Sequence, residues 1–447
     1  MHYKVVQLSG WGNYPVVKAR VYRPERLRDF AHMGKEIHWI PRGLGRSYGD
    51  ASLNPHGGTL WMRRINCFLD FDPESGVLYA EAGVSFEEIL RVFVPHGWFL
   101  PVTPGTKYVT LGGAIAADIH GKNHHVHGSL YNYIEALELI LPSGEKIFCS
   151  RKQDRDIFEA TIGGNGLTGI ILAAYLQLIP IETSYIRQAV FKTANLQETL
   201  QILSQLDQEY PFSVAWVDGF SRGKRLGRAI VQFGRFAKQN ELDGRWRNHP
   251  LRIHPSPTIS IPAYGVNLLL NKLTVRAFNN SHYAFCKPRE STVHYNEFFY
   301  PLDCIAHWNR LYGRRGFLQW QCVVPPDAGE KTLTAIFQFS HEQGWFPYLA
   351  VLKRMGSGRG WLSFPVEGFT LALDYPNRSG IEAFISRLNE LVLNAGGRIY
   401  LTKDAVLTKS AFEQMYPELD RWKGVKRAVD PNNVFASLQA QRLGLIN

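Results

Sequence analysis

Three glycine-rich stretches in the N-terminal half have the composition of loops that bind an anion or a flat ring. The first is PRGLGRSYGD, from Pro41 to Asp50, which follows the strand-like segment KEIHWIP. Its third glycine comes one place too late for a dinucleotide-binding βαβ fingerprint, and the following ASLNPHGG is not an apolar helix. What remains is a loop whose successive backbone N–H groups can surround a diphosphate, although a tight turn alone would also produce this pattern.

The second and third stretches lie further along the same region. VTPGT at 102–106 precedes LGGAIAADIHGKNHH at 111–125, and GGNGLTG at 163–169 leads into the apolar strand IILAAYLQLIP. Small residues from Gly112 to Ala117 let a flat ring approach a helix backbone, and the start of that helix is expected to offer N–H groups to phosphate oxygens. Three such loops beside strands are typical of one extended site, so together they predict a bound dinucleotide.

Four histidines follow the second stretch, at positions 120, 124, 125 and 127. No carboxylate or cysteine completes a ligand set at a recognisable zinc spacing, so we expect no metal site and treat hydrogen-bonded loop histidines as the alternative. Further along, Gln319 and Gln321 in FLQWQ are two residues apart on a strand and so share a face. Lys403 in YLTKD could simply pair with the adjacent Asp404.

The elements that must position these residues differ between the two halves of the chain. A length of 447 residues favours two domains. The first 180 or so residues alternate strand-like segments with few helices, among them SFEEILRVFVPHG, whose apolar residues recur at i, i+3, i+4 and i+7 with Ser85 as N-cap. IEALELILPSGEKIFCS predicts a hairpin with a Pro-Ser-Gly turn. This is the pattern of an α+β region.

From Glu182 onward, aromatic-rich strands alternate with helices. FSVAWVDGF, RAIVQFGRF, GFLQWQCVVP, WFPYLAVLKRM and GFTLALDYP are the strands, and QETLQILSQLDQE and IEAFISRLNELVLNAGG are helices. This composition predicts an antiparallel sheet with helices on one face. The stretch from Ala237 to Ala263 has little periodicity and is expected to be a long loop or lid.

Composition restricts the partners. Lys and Arg total 50 against 39 Asp and Glu, so the net charge of +11 favours anionic partners such as nucleotides, phosphorylated lipids or a membrane surface. The basic residues are scattered and no nucleic-acid recognition motif is present, so we expect no nucleic-acid partner. The five cysteines predict free thiols in a reduced compartment. We see no signal peptide or membrane span and expect a cytoplasmic protein that can associate peripherally with a membrane.

RGLGRSYGD, VTPGT, LGGAIAADIHGKNHH and GGNGLTGII together resemble the PCMH-type FAD-binding domain of the vanillyl-alcohol-oxidase superfamily, and specifically the decaprenylphosphoryl-β-D-ribose 2'-oxidase family. FLQWQ, RIYLTKD and DPNNVFAS extend the similarity over nearly the whole chain, and HGKNHH is a very specific string. The resemblance implies a two-domain α+β fold: an FAD domain at 1–182, a substrate domain on a large antiparallel sheet at 183–396, and a C-terminal segment at 397–447 that returns to the FAD domain.

The resemblance also implies roles for individual residues. The cofactor-binding positions all fall in the matching motifs and are Pro41, Arg42, Gly43, Leu44, Gly45, Arg46, Ser47, Tyr48, Gly49, Asp50, Ala51, Gly105, Thr110, Leu111, Gly112, Gly113, Ala117, Asp118, Ile119, His120, Ile171 and Tyr400. The substrate-binding positions are Lys122, Trp216, Gln319, Gln321, Lys353 and Lys403. Lys403, His120 and Gln319 are the expected catalytic residues, with Lys403 and His120 both candidates for proton transfer.

Two departures from the family pattern have consequences. Many relatives in the superfamily tie the flavin covalently to a histidine in the first loop, whereas Gly45-Arg46-Ser47 stands here, so we expect non-covalent FAD. Ala372 takes the position of a cysteine that family members use in binding inhibitors rather than in turnover, and the neighbouring Thr370 also differs, which bears on the identity of the sugar.

The implied reaction is oxidation of the 2'-hydroxyl of a polyprenylphosphoryl pentose to a ketosugar. A short-chain reductase, as functional partner, would then complete an epimerisation that serves the cell envelope. Two other functions compete with this one. An FAD-dependent oxidase of free alditols or aldonolactones would share the FAD domain, and a non-catalytic binder of lipid phosphates or nucleotides would need only the basic charge.

Overall fold

The computed structural model describes residues 2–34, 37–254, 258–261 and 270–446. The strands are β1 (Tyr3–Ser9), β2 (Val16–Tyr22), β3 (Trp39–Arg42), β4 (Gly58–Trp61), β5 (Phe68–Asp72), β6 (Val77–Glu81), β7 (Trp98–Phe99), β8 (Ile134–Ile140), β9 (Lys146–Ser150), β10 (Ile170–Gln177), β11 (Ile179–Pro180), β12 (Tyr185–Thr193), β13 (Phe212–Val217), β14 (Ala229–Phe236), β15 (Ile259–Ser260), β16 (Arg289–His294), β17 (Ile305–Ala306), β18 (Phe317–Val324), β19 (Leu349–Met355), β20 (Gly368–Pro376) and β21 (Arg398–Ile399).

Helices connect and cover these strands. The α-helices are α1 (Phe86–Phe93), α2 (Leu111–Ala116), α3 (His124–His127), α4 (Arg155–Thr161), α5 (Leu196–Gln205), α6 (Gly244–Arg247), α7 (Lys272–Phe285), α8 (Tyr295–Phe299), α9 (Pro326–Glu342), α10 (Ile381–Asn394), α11 (Lys409–Met415), α12 (Leu419–Val429) and α13 (Leu438–Leu443). Short 3-10 helices include Trp308–Tyr312 and Leu401–Lys403.

Two small sheets form the N-terminal part. One has the order β1-β2-β4-β3, with β4 parallel to both of its neighbours, and the other is the antiparallel sheet β5-β6-β10-β8-β9. The hairpin predicted around Pro-Ser-Gly is confirmed as β8 and β9. Helix α1 is confirmed as well: Ser85 accepts from the backbone N–H of Glu88, and the four periodic apolar residues are the buried ones.

The large sheet begins with β12 and has the order β16-β12-β14-β13-β19-β20-β18-β21, with antiparallel pairing throughout. One face packs against α5, α9 and α10 in a core that includes Leu352, Leu371 and Trp320. Because side chains alternate along a strand, the opposite face carries Gln319 and Gln321. The α+β class with a large antiparallel sheet is thus confirmed.

The chain beyond β21 contacts the N-terminal sheet. The backbone N–H of Trp39 donates to the Val434 carbonyl at 2.6 Å, and that of Leu438 donates to Leu53 at 2.7 Å. Lys426, which is buried in α12, donates to the carboxylate of Asp430. The C-terminal segment therefore contacts the chain on both sides of the first glycine loop.

The predicted long loop from Ala237 to Ala263 is more structured than expected. It contains a 3-10 turn at Gln239–Glu241, helix α6 and strand β15, which pairs in parallel with β17. These elements are too short to produce a periodic signal in the sequence. Residues 255–257 and 262–263 of this stretch lie outside the described residues.

Candidate active site

The three glycine-rich loops meet around α2. A Cβ on Gly43 would lie 2.1 Å from the Oγ1 atom of Thr110, the N-cap of α2, so the first loop touches the second only because residue 43 is glycine. The third loop reaches the other end of α2, where the N–H groups of Gly163 and Asn165 donate to the Ile115 and Ala116 carbonyls. The loops therefore share one wall.

The start of α2 does not offer free N–H groups, so that expectation is wrong. The N–H groups of Leu111 and Gly112 donate to the Val84 and Ala82 carbonyls, at 2.7 and 2.8 Å, and that of Gly113 donates to the Thr110 side chain. The turn after β6 supplies these acceptors, a long-range contact that no local pattern reveals. Gly112 and Gly113 can therefore make room for a ligand because they lack side chains, but their N–H groups do not donate hydrogen bonds to it.

The first loop has the available donors instead. Within the described part of the chain, the backbone N–H groups from Leu44 to Ser47 donate to no protein acceptor. The Nε atom of Arg46 and the Nδ1 atom of His120 are buried without a partner, and a Cβ on Gly105 would meet no atom within 4 Å. Unpaired buried donors around an open glycine cradle fit a long ligand with phosphate and ring acceptors, as FAD is.

Several predicted cofactor residues use their side chains inside the protein. Asp50 is bound by Arg442 at 2.8 Å, and Asp404 accepts from the same guanidinium, so Lys403 does not pair with Asp404. Asp118 accepts from Ser129, Ser363 and the Tyr131 N–H, while burial raises the pKa of its carboxyl to about 6.

At other predicted cofactor positions the side chains bond to the protein itself or are buried in its core. Arg42 donates to Ser9 and Ser52, and Tyr400 donates to the Ala117 carbonyl. Ile119 and Ile171 are buried in the apolar core of this region. These groups shape the site, and the donors from Leu44 to Ser47 remain the ones free to hold a ligand.

A polar face of the large sheet lies beside these loops. Strand pairing places Gln321 opposite Ala372, Ala372 opposite Val351, and Val351 opposite Trp216, which forms one row across four strands. Lys353 lies on the same face, two residues along β19 from Val351. Four of the predicted substrate residues, Trp216, Gln319, Gln321 and Lys353, therefore share one surface.

His120 joins this surface to the loop region. The Thr370 hydroxyl donates to the Cys322 carbonyl at 2.8 Å and so accepts from the Gln321 amide at 3.0 Å. The same amide nitrogen lies 3.1 Å from Nε2 of His120. Nε2 therefore accepts a hydrogen bond, and the ring proton sits on the unpaired Nδ1. Burial and the charge of Lys353 lower the pKa of His120 well below its usual value, so the ring is neutral.

Lys403 lies beside the same sheet face, next to the first glycine loop. Its Nζ atom is 3.7 Å from the ring centre of Tyr48 in the first loop. Burial lowers the pKa of Lys403, and the charge of Asp374 opposes that shift. Asp374 is itself buried, which raises its pKa, and its Oδ1 atom accepts from Gln319 at 2.6 Å. The Lys403 amine and the Asp374 carboxyl are thus both shielded from water.

The remaining lysines are also desolvated. Burial lowers the pKa of Lys353 to about 8 and that of Lys122 to about 7. The Lys122 amine donates to the Phe298 carbonyl and lies 4.3 Å from the centre of the Phe298 ring, while Lys353 lies 3.5 Å from the Gly121 carbonyl. Lys122 is thus committed to the protein, whereas Lys353 keeps donors for an anion.

Sequence reasoning missed Asp374 and Tyr312. Asp374 is the only charged residue of β20, in the otherwise apolar GFTLALDYP, and Tyr312 contacts its second oxygen. The charge within an apolar strand is a usable signal, because a buried charge needs a partner. Tyr312 carries no such signal.

The described residues contain no group of three or more His, Cys, Asp or Glu side chains arranged to hold a metal ion. No helix among them is both long and apolar enough to cross a bilayer. Two of the four loop histidines instead have backbone partners: the Gly356 N–H meets Nδ1 of His124, and the Tyr210 carbonyl meets Nε2 of His125.

Two family models match the chain. The model of the FAD binding domain covers residues 28–150, which include the first loop and α2. The model of D-arabinono-1,4-lactone oxidase covers residues 369–443, which include Asp374 and Lys403. With the cradle and the polar face described above, these matches define the class: the protein is an FAD-dependent oxidoreductase that acts on CH–OH groups.

Comparison with curated proteins narrows the class. The decaprenylphosphoryl-β-D-ribose oxidase of Mycolicibacterium smegmatis is 39% identical over 98% of this chain and 98% of its own length. An uncharacterised protein of Streptomyces coelicolor is 32% identical over 81% of this chain and all of its own. Mouse L-gulonolactone oxidase is 26% identical over 48% of this chain and 49% of its own. The chain belongs to the decaprenylphosphoryl-β-D-ribose oxidase family.

Proposed function

We propose that this protein oxidises the 2'-hydroxyl of a polyprenylphosphoryl pentose to a ketosugar. The observation that carries the proposal is the 39% identity to a decaprenylphosphoryl-β-D-ribose oxidase across 98% of both chains. The polar side chains of Gln319, Gln321 and Lys353 on one face of the large sheet support it, because a sugar needs several convergent hydrogen-bonding groups. FAD, when bound, supplies the acceptor for the hydride that leaves the carbon. The N–H groups from Leu44 to Ser47, with Gly105 and Tyr400, would hold it.

The protein's own residues would handle the proton. A neutral lysine accepts a proton, and burial shifts Lys403 toward the neutral form. His120 carries its proton on Nδ1 and has no acceptor there, so it is arranged to donate a hydrogen bond to a substrate oxygen. We therefore assign the base to Lys403 and the stabilising donor to His120. Gln319, fixed by Asp374, would orient the sugar.

Lys353 is our candidate for the phosphodiester. Its ammonium is desolvated, which lowers its pKa, and a bound anion would restore the charged form. It lies on the same sheet face as Trp216, which could cover the start of the prenyl chain. The pentose, phosphate and tail would then follow the sheet face from Gln321 toward Trp216.

The competing function is oxidation of a free alditol or aldonolactone. The match to the D-arabinono-1,4-lactone oxidase model over residues 369–443 favours it, because that segment holds Asp374 and Lys403. Anaerobic titration decides between the two. Farnesylphosphoryl ribofuranose should bleach the flavin, whereas ribose, xylitol and an aldonolactone at equal concentration should leave it yellow. Equal bleaching by xylitol or the lactone would replace our proposal, and a colourless purified protein would point to the non-catalytic binder.

A ketosugar product requires a second enzyme if the pentose is to leave as an epimer. We propose a short-chain reductase as the functional partner, which returns a hydride to the opposite face of the new carbonyl. Incubation of this protein with the lipid-linked ribose should accumulate the ketone, and the addition of a reductase with its nicotinamide cofactor should convert it to the arabinose epimer. Formation of the epimer without a reductase would contradict the assignment of the two steps to two enzymes.

A further inference from the structure

Helix α7 lies against the large sheet on the face that carries the candidate substrate residues. Its N-cap is Asn271, and Val275 and Asn279 are its buried residues. The Asn279 amide donates to Asp218 at 2.9 Å, and the His282 ring lies 4.8 Å from that of Trp216, edge to face. These contacts fix which side of the helix faces the protein.

The opposite side of α7 is apolar and open. Leu273 is 79% exposed, Phe278 61% and Phe285 82%. Thr274, Ala277, Ser281 and Ala284, which lie between them, are exposed and uncharged. At 3.6 residues per turn this uncharged stripe covers about 140° of the helix surface. Large apolar side chains grouped in this way on a soluble surface mark a contact with a partner or a lipid.

The rim of this stripe is basic. Helix α7 contains no acidic residue. Arg276 flanks the stripe and Lys287 follows the helix in an exposed position, whereas the Lys272 amine is turned toward the protein, where it donates to the Gly344 carbonyl at 3.0 Å. The carboxylate that α7 contacts is that of Asp218, which pairs with Arg228 at 2.6 Å and faces the protein interior. A basic rim around an apolar stripe, on a chain of net charge +11, is complementary to a surface of anionic head groups over hydrocarbon.

The position of α7 connects this stripe to the substrate row. Trp216, which meets His282, ends the row that begins at Gln321 beside His120. Three strand spacings separate Trp216 from Gln321, which is about 14 Å. At the edge of the same face, the Lys192 amine lies 4.4 Å from the centre of the Tyr283 ring on α7. A tail that leaves the sugar along this row would emerge at α7.

We propose that the outer face of α7 docks on an anionic lipid bilayer, with Leu273, Phe278 and Phe285 in the acyl boundary and the basic rim against the head groups. The face is a convex helix surface rather than a groove, which suits a fluid bilayer better than a folded partner. The docking surface stands on its own geometry, and its role in delivering a lipid-borne sugar rests on the proposed function.

Vesicle flotation of the FAD-loaded protein tests this surface. The probes are vesicles of phosphatidylcholine with a minority of phosphatidylglycerol, and vesicles of phosphatidylcholine alone, neither containing any sugar lipid. We expect wild type to float with the anionic vesicles and to be released by salt. The double variant Leu273→Ser, Phe285→Ser should bind at least on the order of a hundredfold less, because each substitution removes a large apolar side chain from the acyl boundary.

A matched control keeps the result specific. Val5→Ser with Leu69→Ser removes two apolar side chains that are 62% and 44% exposed on β1 and β5, and this variant should float as wild type does. Arg276→Gln with Lys287→Gln should weaken flotation and reduce its salt dependence. Thermal melts confirm folding of each variant. Failure of wild type to float, or undiminished flotation of the Leu273 and Phe285 variant, overturns the proposal.

Flotation and sugar oxidation together distinguish failure of the docking surface from failure of the proposed function. Oxidation of a short-chain polyprenylphosphoryl sugar free in solution should be unchanged in the Leu273 and Phe285 variant, since neither residue contacts the row. If wild type floats but oxidises no lipid-linked sugar, the docking surface stands and the substrate assignment falls. If wild type oxidises the sugar but does not float, the substrate assignment stands and the docking surface falls.

Discussion

Burial lowers the pKa of Lys403 and raises that of Asp374. We assign the proton acceptor to Lys403 because its amine lies 3.7 Å from the ring centre of Tyr48 in the first loop, whereas the Asp374 carboxylate already accepts from Gln319. We expect Lys403→Ala to keep its FAD but to reduce the flavin about a hundredfold more slowly, as removal of a positioned proton acceptor usually does. Stopped-flow reduction with the lipid-linked sugar measures this. Lys409→Ala removes an exposed lysine six residues away and should react as wild type does. Near-normal reduction in Lys403→Ala would leave that lysine without a catalytic role.

The charge of Asp374 raises the pKa of Lys403 against the effect of burial. In Asp374→Asn that support is lost, so the pKa of Lys403 falls further. The limb of the kcat/KM profile that reports Lys403 should therefore move to lower pH by about one unit. An acidic limb that moves identifies Lys403 as the base, and an alkaline limb that moves identifies it as a required cation. A profile displaced in neither limb would show that the two charges are not coupled.

Arg46 occupies the loop position at which many relatives in the superfamily carry a flavin-linked histidine, and its guanidinium stacks 3.8 Å from the centre of the Trp11 ring. An arginine held in this way forms no bond to the flavin ring. Acid precipitation should therefore release the yellow colour into the supernatant as FAD. Colour that stays in the pellet would contradict non-covalent binding, and FMN in the supernatant would contradict a dinucleotide site.

Which of these residues could be predicted depended on local signals. Gln319 and Gln321 are two apart in a strand, so the sequence placed them on one face, and Lys403 lay in a recognisable motif. Tyr312 gave no signal, because its contact with Asp374 spans 62 residues and depends on how the 3-10 turn packs on β18 and β20. Sequence left the base open between Lys403 and His120, since the proton of His120 is placed only by the Gln321 and Thr370 network.

At the scale of elements, the first loop lies close to α2 because Gly43 packs against the Thr110 side chain, whereas Gly105 faces open space. Gly105→Ala should not lower the apoprotein's free energy of unfolding, because its Cβ meets no protein atom within 4 Å. It should nevertheless weaken FAD binding by about tenfold or more if the space belongs to the cofactor. Fluorescence titration of apoprotein with FAD measures this.

Gly424→Ala is the matched control for that experiment. Gly424 lies inside α12, and a Cβ there also meets nothing within 4 Å. The substitution should stabilise the helix by up to about 1 kcal/mol and leave FAD affinity alone. Equal affinity in Gly105→Ala and wild type would remove Gly105 from the cofactor site.

Elements with strong periodicity or a defined turn were predictable, and their contacts were not. The cap of α1 and the hairpin of β8 and β9 follow from a few adjacent residues. The N–H groups at the start of α2 were expected to be free, yet carbonyls from the turn after β6 occupy them. That error concerns tertiary contact, which propensity and spacing do not encode.

At the scale of the whole molecule, the candidate cofactor site is assembled from both ends of the chain. A Cβ on Gly49 would lie 1.7 Å from the Asp404 carbonyl oxygen, and the Tyr48 N–H donates to Thr402 at 2.9 Å. Arg442 then binds Asp50 and Asp404 together. In the chain, the C-terminal segment follows the last strand of the large sheet. A ligand in this site would therefore lie between residues that are distant in the sequence.

FAD should therefore stabilise the protein as a unit rather than one domain alone. At a hundredfold excess over its dissociation constant it adds about 2.7 kcal/mol to the free energy of unfolding. For a chain of this length that corresponds to a rise in Tm of roughly 3 °C in a single transition. Differential scanning calorimetry of apoprotein and reloaded protein measures this. Lys403→Ala should show the same gain and Gly105→Ala a smaller one, because only the second weakens binding. A gain confined to one of two separate transitions would contradict stabilisation of the whole molecule as one unit.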